Sequence, residues 1–209
     1  MIQGKKILLL APHPDDPEYS CGASIARWVR DNEVHYTAFS PCIASLPEAF
    51  GPDTLYKELK AAAGKLGLPE ANISTYDFPV RRFPEHRQEI LELMVGMKRS
   101  LKPDIVVMPN SYDIHQDHRV IYEEGLRAFK HCSLLGYELP WNNLEFKSNF
   151  HVSVSKEELS RKWSAIEAYE SQGIRAYKSK EFFEGLARVR GMQVNVEFAE
   201  AFELIRWIL

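Results

Sequence analysis

Short, unbroken apolar runs alternate along this chain with segments whose apolar residues return every three or four positions. Lys6–Ala11 predicts a buried strand, Cys21–Asp31 a helix and Glu33–Phe39 a second strand, which together make a βαβ opening. Thr54–Leu66 has helical spacing and stops at Gly67, a residue suited to the left-handed position that closes a helix, and a short strand follows at Ile73–Tyr76. In Glu85–Ser100 the residues Ile90, Leu91, Met94 and Val95 repeat the helical spacing, and Pro103 stops it before a strand over Asp104–Pro109. Asp117–Lys130, Lys156–Tyr169 and Ser179–Arg190 read as helices, Leu134–Tyr137 as a strand and Glu145–Val154 as strand-like. The chain closes on an amphipathic segment, Val196–Ile208, suited either to cover the core or to form a subunit contact, which leaves a homo-oligomer open.

Right-handed crossovers between such strands put helices on both faces of a mainly parallel sheet, with all strand carboxyl ends on one rim. The expectation is one three-layer α/β domain over residues 1–209. With 209 residues and 45% hydrophobic content the chain can bury a substantial core. A net charge of −3 and the lack of any Lys/Arg run argue against a nucleic-acid partner and favour a small molecule. No apolar stretch approaches the ~18 residues that would span a bilayer, and the first residues lack a small-residue cleavage site, so a cytoplasmic location is expected. Cys21, Cys42 and Cys132 are widely spaced and form no C-x-x-C pair, which reads as buried free thiols.

The chemistry concentrates where the first strand ends. His13-Pro14-Asp15-Asp16 follows it directly, so an imidazole and a carboxylate three residues apart can turn to one ion while Asp15 between them stays available to move protons. Two carboxylates in place of a G-x-G-x-x-G turn would repel a pyrophosphate, which sets aside a dinucleotide site. After the strand Asp104–Pro109 comes a second polar loop containing His115-Gln116-Asp117-His118. His118 can complete a two-His, one-carboxylate set with His13 and Asp16, the donor pattern of a catalytic zinc site. Two imidazoles favour Zn2+ over magnesium, with another divalent transition metal such as Fe2+ as the alternative. Asp117 can accept a hydrogen bond from one of these imidazoles and fix its tautomer.

In this paired arrangement, about a hundred residues apart, the chain resembles the LmbE-like, or PIG-L, family of zinc-dependent de-N-acetylases. The likeness extends to Glu58 with Ala61-Ala62-Ala63, Pro103-Asp104, Tyr169-Glu170-Ser171-Gln172 and Ala199-Glu200-Ala201-Phe202. It implies a Rossmann-like fold and removal of an acetyl group from an N-acetylglucosamine-type conjugate. It also implies His13, Asp16 and His118 as metal ligands, Asp15 as general base, and His115 as the group that stabilises the oxyanion or protonates the leaving amine. A protonated His115 beside the zinc is the form expected to stabilise that oxyanion. The chain departs from the family at Pro17, at Gly22-Ala23 and at Leu55, where several sugar-processing members place an Arg. Arg81, Arg82 and Arg87 are candidates to replace it on a phosphate or carboxylate of the conjugate.

Plainer readings stand beside these. Asp15 and Asp16 can be helix caps, and His115 and His118 taken alone can be incidental to caps made by Asp113 or Asp117. Trp141 with Asn142 offers an indole face and an amide to a sugar ring, yet a turn with Trp141 packed in the core fits equally. At the level of function, the rivals are a catalytically silent carbohydrate-binding or scaffold protein and a metal hydrolase of another amide or ester.

Overall fold

Successive residues of a strand point to opposite faces of its sheet. Ile7, Leu9 and Ala11 accordingly enter one core, and Leu8 and Leu10 another. A strand apolar on both sides belongs inside a sheet covered by helices on each face. The computed structural model, which describes residues 2–173 and 175–208, places it there. The strands are β1 (Lys6–Ala11), β2 (Glu33–Ala38), β3 (Ile73–Thr75), β4 (Ile105–Pro109), β5 (Ser133–Tyr137), β6 (Phe150–Ser153) and β7 (Ala199–Arg206), in the order β3-β2-β1-β4-β5-β7-β6. β1 to β5 are parallel, and β7 runs antiparallel to β5 and β6. Helices α1 (Asp16–Trp28), α2 (Thr54–Leu66), α5 (Lys156–Glu167) and α6 (Lys180–Met192) contribute to the core of Ile7 and Leu9. Helices α3 (Arg87–Leu101) and α4 (Gln116–Ala128) build the core of Leu8 and Leu10 with Ile90, Met94 and Ile121. The three-layer α/β architecture is thus the one the periodicity predicts.

Two elements depart from the periodicity. α1 begins at Asp16, not Cys21, because Pro17 suits a first helical turn, and its path breaks at Cys21 (φ −135°, ψ 28°). The groups near this break are met from a distance. Glu200 of β7 accepts the amides of Ala23 (3.2 Å) and Ser24 (2.6 Å), while Lys162 of α5 donates to the Ser20 carbonyl (3.1 Å) and to Glu200 (2.6 Å). The glycine at 22 is needed for this approach, since a Cβ there would stand 2.9 Å from Lys162 Cγ. The second departure is the closing segment, which enters the sheet instead of covering the core. It is β7, inserted between β5 and β6, and its acidic residues are buried with partners far off in sequence: Glu200 on Lys162, and Glu203 on the Ser111 hydroxyl (2.7 Å). Of the strand-like stretch Glu145–Val154, only Phe150–Ser153 is a strand.

This topology puts the two polar motifs side by side. β1 and β4 are direct neighbours, with Leu9 opposite Val107, and the strand order turns back between them. Open α/β sheets bind ligands at such a switch point, beyond the carboxyl ends of the strands. Among the described residues no helix is long and apolar enough to cross a membrane. All three cysteines are buried and unpaired.

Candidate active site

Beyond β1 and β4, three side-chain atoms converge. His13 Nδ1 lies 3.2 Å from Asp16 Oδ2, His118 Nε2 lies 3.3 Å from the same oxygen, and the two nitrogens are 3.1 Å apart. Donors at about 2.0–2.1 Å from a tetrahedral zinc stand roughly 3.3 Å from one another, so this nearly equilateral triangle fits one face of that coordination shell. His13, His115 and His118 also form a group whose nitrogens lie within 4.8 Å of one another. That set is looser, and His115 Nδ1 is engaged elsewhere: it accepts the Asp117 amide (3.2 Å) as the N-cap of α4. The triangle with Asp16 is the tighter of the two donor sets.

Each imidazole of the triangle is oriented from behind by a carboxylate. His13 Nε2 meets Asp117 Oδ2 at 3.1 Å, and His118 Nδ1 meets Asp113 Oδ2 at 2.7 Å. These contacts hold one proton on each outer nitrogen, so that the proton a metal would displace is the one on the inner nitrogen. Asp117 is completely buried and is itself held by the amides of Arg81 (2.5 Å) and Phe83 (3.2 Å). Burial disfavours charge on His13 and His118, but the surrounding carboxylates together outweigh it, Asp16 with Asp117 at His13 and Asp16 with Asp113 at His118, and raise them to about 9 and about 10. Burial likewise opposes ionisation of Asp16, yet His118 and then His13 hold its carboxyl well below the ordinary range. The cluster is built for positive charge at its centre.

Asp15 precedes this cluster at the N-cap of α1, but its side chain makes no capping bond, so the plain reading of a capped turn does not describe it. Burial and then the neighbouring Asp16 push its carboxyl up to about 6. That range suits a group that takes and returns protons near neutrality. His115 is shifted the other way. Burial, His118 and His13 lower it to about 4, and its capping bond requires a bare Nδ1, so it is a neutral imidazole with its proton on Nε2. The protonated His115 expected from the sequence is replaced by a neutral hydrogen-bond donor.

Under the His-Pro-Asp-Asp turn lies a carboxyl that sequence reasoning did not flag. Glu18 is completely buried, with one oxygen on the Tyr36 hydroxyl (2.8 Å). That hydroxyl also bonds the Pro14 carbonyl (2.6 Å), and the Tyr169 hydroxyl bonds the same carbonyl (2.5 Å). One phenolic proton cannot serve both acceptors, so the contacts are satisfied together when Glu18 is protonated and donates to Tyr36. Burial raises Glu18 to about 8, in agreement. Because this folded value exceeds the ordinary 4.5, the stability it confers is complete below about pH 4.5 and is lost as pH rises through about 8. Glu18→Gln should therefore flatten the fall of Tm between pH 5 and 9 measured with a chelator present. The gain over the unsubstituted chain should grow with pH to the order of a few kcal/mol.

A cavity of about 360 Å³ opens on the triangle. Trp141 and Asn142 line it as expected, and so does Arg81. Trp141 is at once packed and exposed to the cavity: Tyr177 stacks on its indole at 3.9 Å and 7°. Arg82 and Arg87 are not brought to the site. Arg82 pairs with Glu85 (2.7 Å) on the surface, and Arg87 with Glu124 (2.5 Å) and Glu123 (2.8 Å) between α3 and α4. Sequence reasoning missed Tyr19, Arg175 and Tyr177, which line the cavity, and Asp113 behind His118. Tyr19 had a legible signal, as it sits one helical turn after Asp15. A larger cavity, about 680 Å³, lies at the other end of the sheet beside Trp28, Ile105 and Trp207 and contains neither motif.

Residues 8–129 match the family model PIG-L, described as GlcNAc-PI de-N-acetylase. The chain is 27% identical over 175 residues to the uncharacterized deacetylase YaiS of Escherichia coli K12, covering 80% of this chain and 91% of that one. Among solved structures it is similar to the conserved protein TT1542 from Thermus thermophilus, with TM-score 0.80, 25% identity, and 98% and 96% of the two chains covered. It shares its fold with the N,N'-diacetylchitobiose deacetylase of Pyrococcus horikoshii, with TM-score 0.78, 21% identity, and 95% and 83% covered.

Proposed function

Because the chain belongs to the PIG-L, or LmbE-like, family of de-N-acetylases, we propose that residues 1–209 form a zinc-dependent hydrolase that removes the acetyl group from an N-acetylglucosamine-type conjugate. The observation that carries this reading is the donor triangle of His13, Asp16 and His118 with the uncommitted carboxyl of Asp15 beside it. A bound Zn2+ would supply Lewis acidity to the amide carbonyl and acidify the attacking water.

The remaining work falls to the chain's own groups. Asp15 takes the proton from the water as it attacks. His115 directs its Nε2 proton at the carbonyl oxygen as negative charge develops there. Asp15 then returns its proton to the departing amine, since a neutral imidazole fixed through Nδ1 is a poor acid. Asp117 and Asp113 are positioning residues that aim His13 and His118. The cavity receives the sugar against Trp141 and Asn142. A cytoplasmic enzyme is in keeping with three buried free thiols.

The silent-binder reading gives Asp15 no task, whereas hydrolysis does. The test is acetate release from a panel of N-acetylglucosamine conjugates by the zinc-loaded protein, with the free amine measured in parallel. Equal amounts of acetate and amine are expected. Protein carrying one zinc per chain that releases neither from any conjugate would overturn the reading.

A further inference from the structure

Two guanidinium groups line the catalytic cavity without an acidic partner. Arg81 and Arg175 both face it, and among the described residues neither lies within ion-pair distance of a carboxylate. Arg161 and Arg206, away from the cavity, rest on backbone carbonyls, while Arg82, Arg87 and Arg190 are neutralised by Glu85, Glu124 and Glu138. The two cavity arginines are held by neutral oxygens. Arg81 Nη2 donates to the Ala44 carbonyl (3.0 Å), and Arg175 Nε donates to Gln172 Oε1 (3.1 Å). Each uses one of five donors in that contact, so most of the planar fork remains for a ligand.

The backbone of Arg81 is fixed as well. Its φ of 67° lies in the left-handed region that residues with a Cβ seldom adopt, and its amide is tied to Asp117, the carboxylate behind His13. The arginine is therefore registered against the metal cradle through a single intervening residue. Arg175 is near enough for its charge to weigh on Asp15. The cavity thus has acids at its floor, Asp15 and Asp16, and two unneutralised cations nearby. A neutral sugar has no use for that pair of charges, and an anionic one would be repelled from the floor without them.

We propose that the natural conjugate carries an anionic group, a carboxylate or a phosphate, on or next to the amino sugar, and that Arg81 and Arg175 clamp it while the acetamide reaches the triangle. This rests on the deacetylase reading of the same site. The cavity of about 360 Å³ is at the small end for ligand sites, which keeps the anion close to the ring.

The zinc-loaded protein is compared on N-acetylglucosamine 1-phosphate, the carboxymethyl glycoside of N-acetylglucosamine and the neutral methyl glycoside. Calorimetry with glucosamine 1-phosphate measures binding without turnover. The unsubstituted chain should prefer at least one anionic glycoside by about tenfold or more in kcat/KM, mainly through KM, and the preference should shrink at high salt. The favoured arm separates phosphate from carboxylate. In Arg81→Gln, Arg175→Gln and the double variant the ratio of anionic to neutral substrate should fall toward one. Equal efficiency on all three glycosides, or variants that lower every substrate alike and keep the ratio, overturns the clamp while the deacetylase reading stands. Binding of glucosamine 1-phosphate that depends on both arginines, with no acetate from any glycoside, upholds the clamp and overturns that reading. Neither binding nor turnover overturns both.

Discussion

His118→Ala is expected to lose both bound zinc and acetate release. His118 is 1% exposed and supplies one of the three donor atoms of the proposed triangle. His115 is the nearest substitute, but its Nδ1 caps α4 through the Asp117 amide. With two donors left, zinc content after dialysis should drop from one per chain to near zero. The rate should fall by at least about a thousandfold, because the metal's contribution to polarising the amide disappears. Removing the imidazole also leaves Asp113 and Asp16 without their shared partner, so the variant needs a check of folding by circular dichroism. Full zinc content in folded His118→Ala, with loss in His115→Ala, would replace the proposed triangle by the looser three-histidine group.

How far the sequence carries depends on whether a residue's partners are local. Strands β1 and β4 are legible because an apolar run broken by a polar turn needs no distant information. His13 with Asp16 is legible for the same reason, since three residues separate them. That His118 joins them follows once β1 and β4 are neighbours, which the crossover rule makes natural. β7 is not legible as a sheet strand because its acidic residues read as a solvated face. Their partners, Lys162 for Glu200 and Ser111 for Glu203, lie 38 and 92 residues away. The arginines show the same limit. Arg81, Arg82 and Arg87 are equivalent as a local cluster, and only Glu85, Glu123 and Glu124 take two of them out of contention. Arg175 and Tyr177 belong to no motif and reach the cavity through the path of the chain after α5.

Asp15→Asn separates chemistry from metal binding, which His118→Ala cannot do. Asparagine keeps the size of Asp15 and leaves His13, Asp16 and His118 in place, so zinc per chain should be unchanged. It cannot take a proton from water, and kcat should fall by about 10²–10⁴, the range for loss of a general base. KM should move little, because the change acts on the transition state and not on sugar contacts. A second readout follows from the environment of Asp15. Burial and then Asp16 raise its carboxyl to about 6, above the ordinary 3.8, so its ionisation works against folding. The associated stability is complete below about pH 3.8 and is lost as pH rises through about 6. With metal removed, the Tm advantage of Asp15→Asn over the unsubstituted chain should grow between about pH 4 and pH 6 and level off above, so that it is larger at pH 8 than at pH 4. A variant both slower and more stable in alkali is the pattern of a carboxylate kept for reaction at the expense of the fold. If kcat stays within threefold of the unsubstituted chain at equal zinc content, Asp15 is not the base, and the proton must leave through another group.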